Sequence, residues 1–147
     1  MDISTIFCGS DHAGLSLKKL CIHHLEALGW VCTDVGTDST ASCDYPLFAA
    51  KVCREVLEHD QLGLLVCGTG LGMSMTANRF PSIRAALCTN ELMARMARKH
   101  NKANILCLGA RVIGEDLALG IVDAFVHTDF EHGRHQKRID LMEEVAP

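Results

Sequence analysis

Short apolar runs alternate with amphipathic stretches from one end of this chain to the other, and that rhythm constrains the fold more than any other feature. Ile6-Phe7-Cys8, Val31-Cys32-Thr33, Leu64-Leu65-Val66, Ala85-Ala86-Leu87 and Ile105-Leu106-Cys107 are strand-sized, and segments of helical period separate them. Leu17, Leu20, Cys21, Leu25 and Leu28 form one helical stripe, and Phe48, Ala49, Val52, Cys53 and Val56 form a second. Further stripes are carried by Leu92, Met93, Met96 and Ala97, by Leu117, Ile121, Val122 and Phe125, and by Ile139 with Met142. Strands that alternate with helices pair in parallel through crossovers of one hand. The spacing therefore predicts an α/β fold: a three-layer sandwich around a five-stranded parallel sheet, with ligands bound beyond the carboxyl ends of the strands.

A chain of 147 residues suits one domain, spanning 1–147, and can bury roughly two thirds of its unfolded surface. No linker, repeat or low-complexity segment divides it. Its net charge of -4 comes without a basic block, so nucleic acid and anionic membranes are poor partners and a small ligand is expected. The apolar runs are too short to cross a bilayer, and Met1-Asp2-Ile3-Ser4 lacks the regions of a signal peptide, which predicts a cytoplasmic protein. Eight cysteines fit that compartment as reduced thiols. Cys8, Cys32, Cys67, Cys88 and Cys107 lie in or at the ends of apolar runs, and the nearest pair, Cys43 and Cys53, is ten residues apart, without the spacing of a zinc knuckle.

Cys67 ends the third run and is followed by Gly68-Thr69-Gly70-Leu71-Gly72. Strand, glycine loop and helix start place backbone amides where they stabilise an anionic oxygen or a thiolate. The loop lacks the Lys-Ser or Lys-Thr of a nucleotide P-loop, and Met73 stands where a dinucleotide fingerprint needs its third glycine. Met73 also occupies the place of the arginine in a phosphate-cleaving cysteine loop. A nucleophile or base facing an oxyanion site competes here with a small buried thiol beside a turn.

Other polar residues gather at strand ends. Gly9-Ser10-Asp11-His12 follows the first strand, with Asp11 suited either to capping a helix or to meeting a ligand and His12 to donating to an anionic or sugar oxygen. Thr89-Asn90 should cap a helix that reaches His100 and Asn101 at the approach to the fifth strand, and Arg111 follows that strand. Arg134 and Arg138, four apart, share a helical face as a solvated pair or a forked anion site.

Taken together, Gly9-Ser10-Asp11-His12, Asp44-Tyr45-Pro46, Cys67-Gly68-Thr69-Gly70-Leu71-Gly72, Ala77-Asn78, Ile83-Arg84-Ala85, His100-Asn101 and Gly133-Arg134-His135 closely resemble the ribose-5-phosphate isomerase B family, which includes allose and galactose 6-phosphate isomerases. The resemblance covers nearly the whole chain. It implies a Rossmann-like sheet, an aldose-ketose isomerase that needs no metal or cofactor, and a homodimer or tetramer whose active sites draw on two subunits. It implies Cys67 as the base acting through an enediol, with Thr69 and the Gly68, Gly70, Leu71 and Gly72 amides at the enediolate oxygens. His100 would open the furanose ring, and Asp11 and Asn101 would bind hydroxyls. His12, Arg111, Arg134 and Arg138 would contact the anionic end of the sugar, with Tyr45 at its border. One branch of the family uses a glutamate at the place of Met73; this chain matches the cysteine branch.

The resemblance implies interconversion of ribose 5-phosphate and ribulose 5-phosphate in the non-oxidative pentose phosphate pathway. A hexose 6-phosphate isomerase shares the same chemistry and differs in pocket depth. A non-catalytic phosphosugar-binding module would have no use for Cys67, Thr69 and His100 as a set. A thiol redox protein would want a resolving cysteine two or three residues from Cys67, and none is there.

Overall fold

The computed structural model describes residues 4–146. Its strands are β1 (Thr5–Ser10), β2 (Val31–Asp34), β3 (Leu62–Cys67), β4 (Ala85–Leu87) and β5 (Ile105–Gly109). The helices are α1 (Leu15–Ala27), α2 (Tyr45–His59), α3 (Leu71–Ala77), α4 (Glu91–Asn101), α5 (Glu115–Val126) and α6 (Arg134–Val145). All five strands pair in parallel in the order β2-β1-β3-β5-β4.

Alternation along each strand creates two cores. Ile6, Cys8, Leu64, Val66, Leu106 and Leu108 face α1, α4 and α5, where Leu17, Cys21, Ala97, Ile121 and Phe125 are buried against them. Phe7, Leu65, Cys67, Ile105 and Cys107 point the other way, onto Val52, Cys53 and Val56 of α2 and Met73 and Ala77 of α3. Because both of their faces are covered, β1, β3 and β5 read as apolar runs rather than as alternating ones, whereas the edge strand β2 is largely exposed. Crossovers through α2 and α3 advance in one direction across the sheet and those through α1 and α4 return on the opposite face, so a single hand holds throughout.

From β1 the chain moves first outward to β2 and then back past β1 to β3. That reversal opens a crevice between the carboxyl ends of β1 and β3. Lys18, a fully buried cation on α1, ties down the segment beside it: Nζ donates to Asp34 Oδ1 at 2.9 Å and to the Thr37 carbonyl at 2.6 Å. Asn78 performs a similar service at the sheet edge, its side chain bonding the Ala85 amide at 2.8 Å and the Ala85 carbonyl at 2.9 Å.

The stripe expected on α4 differs from the one observed. Ala94 and Ala97 are buried, whereas Leu92 and Met93 lie in the open, and Leu117 on α5 and Met142 on α6 are also exposed. Alanines let α4 and α5 approach closely, and the larger apolar groups are left on the outer surface.

Candidate active site

Register brings the first group of residues together. Ser10 pairs with Val66 and Cys67 with Gly109, so Asp11, Cys67 and the segment leading to Arg111 emerge side by side from β1, β3 and β5. Asp11 is buried and its Oδ1 accepts the Gly14 amide at 3.0 Å, folding the turn that enters α1. It therefore does not sit at the N-cap of α1, a position held by Gly14. His12 Nδ1 accepts the Cys43 amide at 3.2 Å. An acceptor at Nδ1 keeps the ring's proton on Nε2, which is left to donate.

Cys67 is buried at the tip of β3, and the amide of Gly70 donates to its Sγ at 3.1 Å. Gly70 has φ +79°, a left-handed conformation that favours glycine, and it turns the strand into α3. Thr69 is exposed, with Oγ1 accepting the Leu71 amide at 3.3 Å. The Arg111 guanidinium covers Gly68, where an added Cβ would stand 3.1 Å from Nη1, and the Arg111 amide donates to the Gly68 carbonyl at 2.9 Å. The Tyr45 ring packs directly on Gly72. Asp11, His12, Tyr45, Cys67 through Gly72 and Arg111 thus share one rim at the carboxyl edge.

Five further thiols are buried in the two cores. Burial pushes Cys21 up to about 12 and Cys53 and Cys88 up to about 11, and it also raises Cys107 strongly. Hydrogen bonding with Cys32 and burial raise Cys8. All eight cysteines are free. The five buried apart from Cys67 remain protonated and act as apolar packing.

His100, Asn101, Arg134 and Arg138 stand elsewhere. α4 runs back from the carboxyl edge, so its last residues, His100 and Asn101, lie near the amino ends of the strands, about 20 Å from Cys67 along the six residues of β3. Arg84 Nε donates to the Asn101 carbonyl at 2.9 Å and fixes this helix end. A cleft of about 540 Å³ opens beside it, lined by Asn78, Arg84, Asn101 and Met142. Arg134 and Arg138 start α6, and the His100 ring stacks on that of His135 with centroids 4.2 Å apart and planes 10° from parallel. One chain therefore presents the expected residues as two groups at opposite edges of the sheet.

Glu131 is the residue that the sequence reading missed. Its carboxylate lies 4.0 Å from His100 Nε2, 3.8 Å from His135 Nε2 and 3.8 Å from Lys99 Nζ. The four-residue step from Glu131 to His135 is a usable signal, but nothing in the sequence pairs either with His100. His100, Glu131 and His135 have donor atoms within 4.8 Å of one another, as do Glu55, Glu58 and His59 on α2.

A doubly wound α/β protein with a buried thiol, a glycine loop and the Arg111 guanidinium at its switch point has the open-sheet architecture in which ligands bind at the carboxyl edge. The ribose/galactose isomerase family model matches residues 6–142, and the chain belongs to that family. It is 42% identical over 135 residues to ribose-5-phosphate isomerase B of Escherichia coli, covering 91% of each chain. A ribose 5-phosphate isomerase of Thermotoga maritima superposes with a TM-score of 0.94 at 49% identity, covering 97% of this chain and 99% of that one. Ribose-5-phosphate isomerase B of Mycoplasma genitalium with bound ribulose-5-phosphate superposes with a TM-score of 0.93 at 41% identity, covering 97% of both chains.

Proposed function

We propose that this protein interconverts ribose 5-phosphate and ribulose 5-phosphate with Cys67 as the base. The carrying observation is the buried Cys67 thiol at the switch-point crevice, met by the Gly70 amide at 3.1 Å within a chain 41% identical to a protein seen with ribulose-5-phosphate. On the open-chain aldose, the Cys67 thiolate takes the proton from C2. The C2 electron pair becomes the C1–C2 double bond, and the carbonyl electrons move onto O1. Loop amides and Thr69 stabilise the enediolate. Protonation at C1 by the Cys67 thiol, with transfer of the O2 proton to O1, leaves a ketone at C2 and a hydroxyl at C1. Nothing is oxidised or lost overall.

Asp11 and Asn101 hold hydroxyls, Tyr45 borders the sugar, and His12, Arg111, Arg134 and Arg138 hold the phosphate. His100 opens the furanose ring. Its place at the far edge of the sheet calls for a second copy of the chain, whose His100, Asn101, Arg134 and Arg138 complete the crevice around Cys67. Leu71 and Met75 on α3, Leu92 and Met93 on α4, and Leu141, Met142 and Val145 on α6 are exposed apolar groups suited to such a homodimer. The reading includes turnover without a metal and work in the cytoplasm, which the eight free thiols suit.

The family description also names galactose, which favours a six-carbon phosphate as the second reading. Purified protein assayed on ribose 5-phosphate and allose 6-phosphate, with and without chelator, separates them. Faster turnover of ribose 5-phosphate, unaffected by chelator, is expected. Binding of both sugars without turnover would leave only a phosphosugar-binding module.

A further inference from the structure

The stacked pair His100 and His135 sits at the edge of the proposed site with one carboxylate serving both rings. His135 is buried, and its Nε2 has no hydrogen-bond partner among the described residues. Each Glu131 oxygen faces a different ring, Oε1 toward His135 Nε2 at 3.8 Å and Oε2 toward His100 Nε2 at 4.0 Å. Glu131 is itself placed by α4, because its amide donates to the Lys99 carbonyl at 3.0 Å.

Two imidazolium rings with centroids 4.2 Å apart would repel, so the stacking disfavours a charge on both rings at once. The surroundings of the two rings differ. α6 flanks His135 with Arg134 and Arg138, and burial first, then His100 and Arg134, push it below the ordinary histidine range, with Glu131 opposing. His100 is partly exposed and meets the carboxylate from the solvent side, with Lys99 beside it on α4.

We infer that Glu131 and His135 are positioning residues for His100: His135 stays neutral as the plate on which the His100 ring lies, and Glu131 directs the shared proton to the exposed ring that donates it. Ring opening then follows as transfer of a proton from the His100 imidazolium to the furanose ring oxygen as its bond to C1 breaks, while the anomeric hydroxyl gives its proton to water and its electron pair forms the C1 carbonyl, with no net change in protons. This inference rests on the isomerase reading for the identity of the step, and on the geometry of the pair for the rest.

The test uses Glu131→Gln and His135→Asn in the full-length protein. With Glu131→Gln, kcat/KM for ribose 5-phosphate should fall about tenfold above neutral pH, as the alkaline limb moves down by roughly one unit. Turnover of erythrose 4-phosphate, which cannot form a furanose, should keep its rate and pH profile. Glu131→Asp should recover part of the loss. Histidine-labelled NMR, assigned with His100→Asn and His135→Asn, should show His135 remaining neutral at pH values where His100 is charged.

Equal losses on both substrates, an unmoved pH profile, or His135 charging before His100 would overturn the inference. So would loss of activity with chelator and its recovery with zinc, since the cluster would then be holding a metal. Because the NMR titration needs no substrate, it still decides the pair if the protein fails to turn over ribose 5-phosphate.

Discussion

The amide of Gly70 points at Cys67 Sγ from 3.1 Å, and the left-handed turn at Gly70 makes that approach possible. The contact directs the partial charge of a backbone donor onto the atom proposed to take the C2 proton. Cys67→Ala should lower kcat by a factor of about 10² to 10⁴ with the fold preserved. Cys67→Ser should be nearly as inactive, because a hydroxyl ionises far less readily than a thiol. Steady-state rates alongside circular dichroism check both, and near-normal turnover by either variant would remove Cys67 from its role.

His100→Asn separates ring opening from isomerisation. Turnover of cyclic ribose 5-phosphate should collapse while that of erythrose 4-phosphate survives, since only the first substrate must be opened. Parallel assays read the ratio, and equal losses would place His100 in the proton transfer itself.

Much of the fold was legible because strands buried on both faces announce themselves as apolar runs. All five expected strands form, in parallel, and Asn90 caps α4 by accepting the Met93 amide at 2.9 Å. The outer face of α4 was not legible. Leu92 and Met93 obey a helical period but are exposed, and a period cannot distinguish a face covered by the same chain from one left uncovered. The carboxyl-edge residues could be grouped from strand ends alone. Glu131 could not, because its link to His100 depends on how α4 and α6 cross.

The depressed His135 gives a pH dependence of stability with a definite sign. A histidine held below its unfolded value near 6.5 binds fewer protons in the native state, so stability is present above that pH and is lost as pH falls through it. Denaturant midpoints measured from pH 7.5 to 5 should fall, and His135→Phe, which cannot titrate, should flatten that fall. An unchanged slope in the variant would mean that other groups carry the acid sensitivity.

Lys18 joins stability to the site. Its ammonium holds Asp34 and the Thr37 carbonyl, and the same segment continues to Cys43, whose amide meets His12. Lys18→Met keeps the apolar stem and removes the charge. A loss of about 1–3 kcal/mol is expected from urea unfolding, together with a raised KM as His12 loosens. An unaltered KM would show that the His12 contact does not depend on this anchor.

Arg134 and Arg138 test the sharing of sites between chains. Removing either should raise KM for the phosphorylated sugar roughly ten- to a hundredfold, the equivalent of one charge-assisted contact of about 1.5 to 3 kcal/mol. An Arg134→Ala chain and a Cys67→Ala chain are each defective alone. If a site takes Cys67 from one subunit and Arg134 from the other, their heterodimer contains one doubly damaged site and one intact site, and activity should return on mixing. Native mass spectrometry establishes whether the chains exchange. Exchange without recovered activity would mean that Arg134 acts on the crevice of its own chain, and the distance between the two edges of the sheet would then have to be closed by a rearrangement of α6.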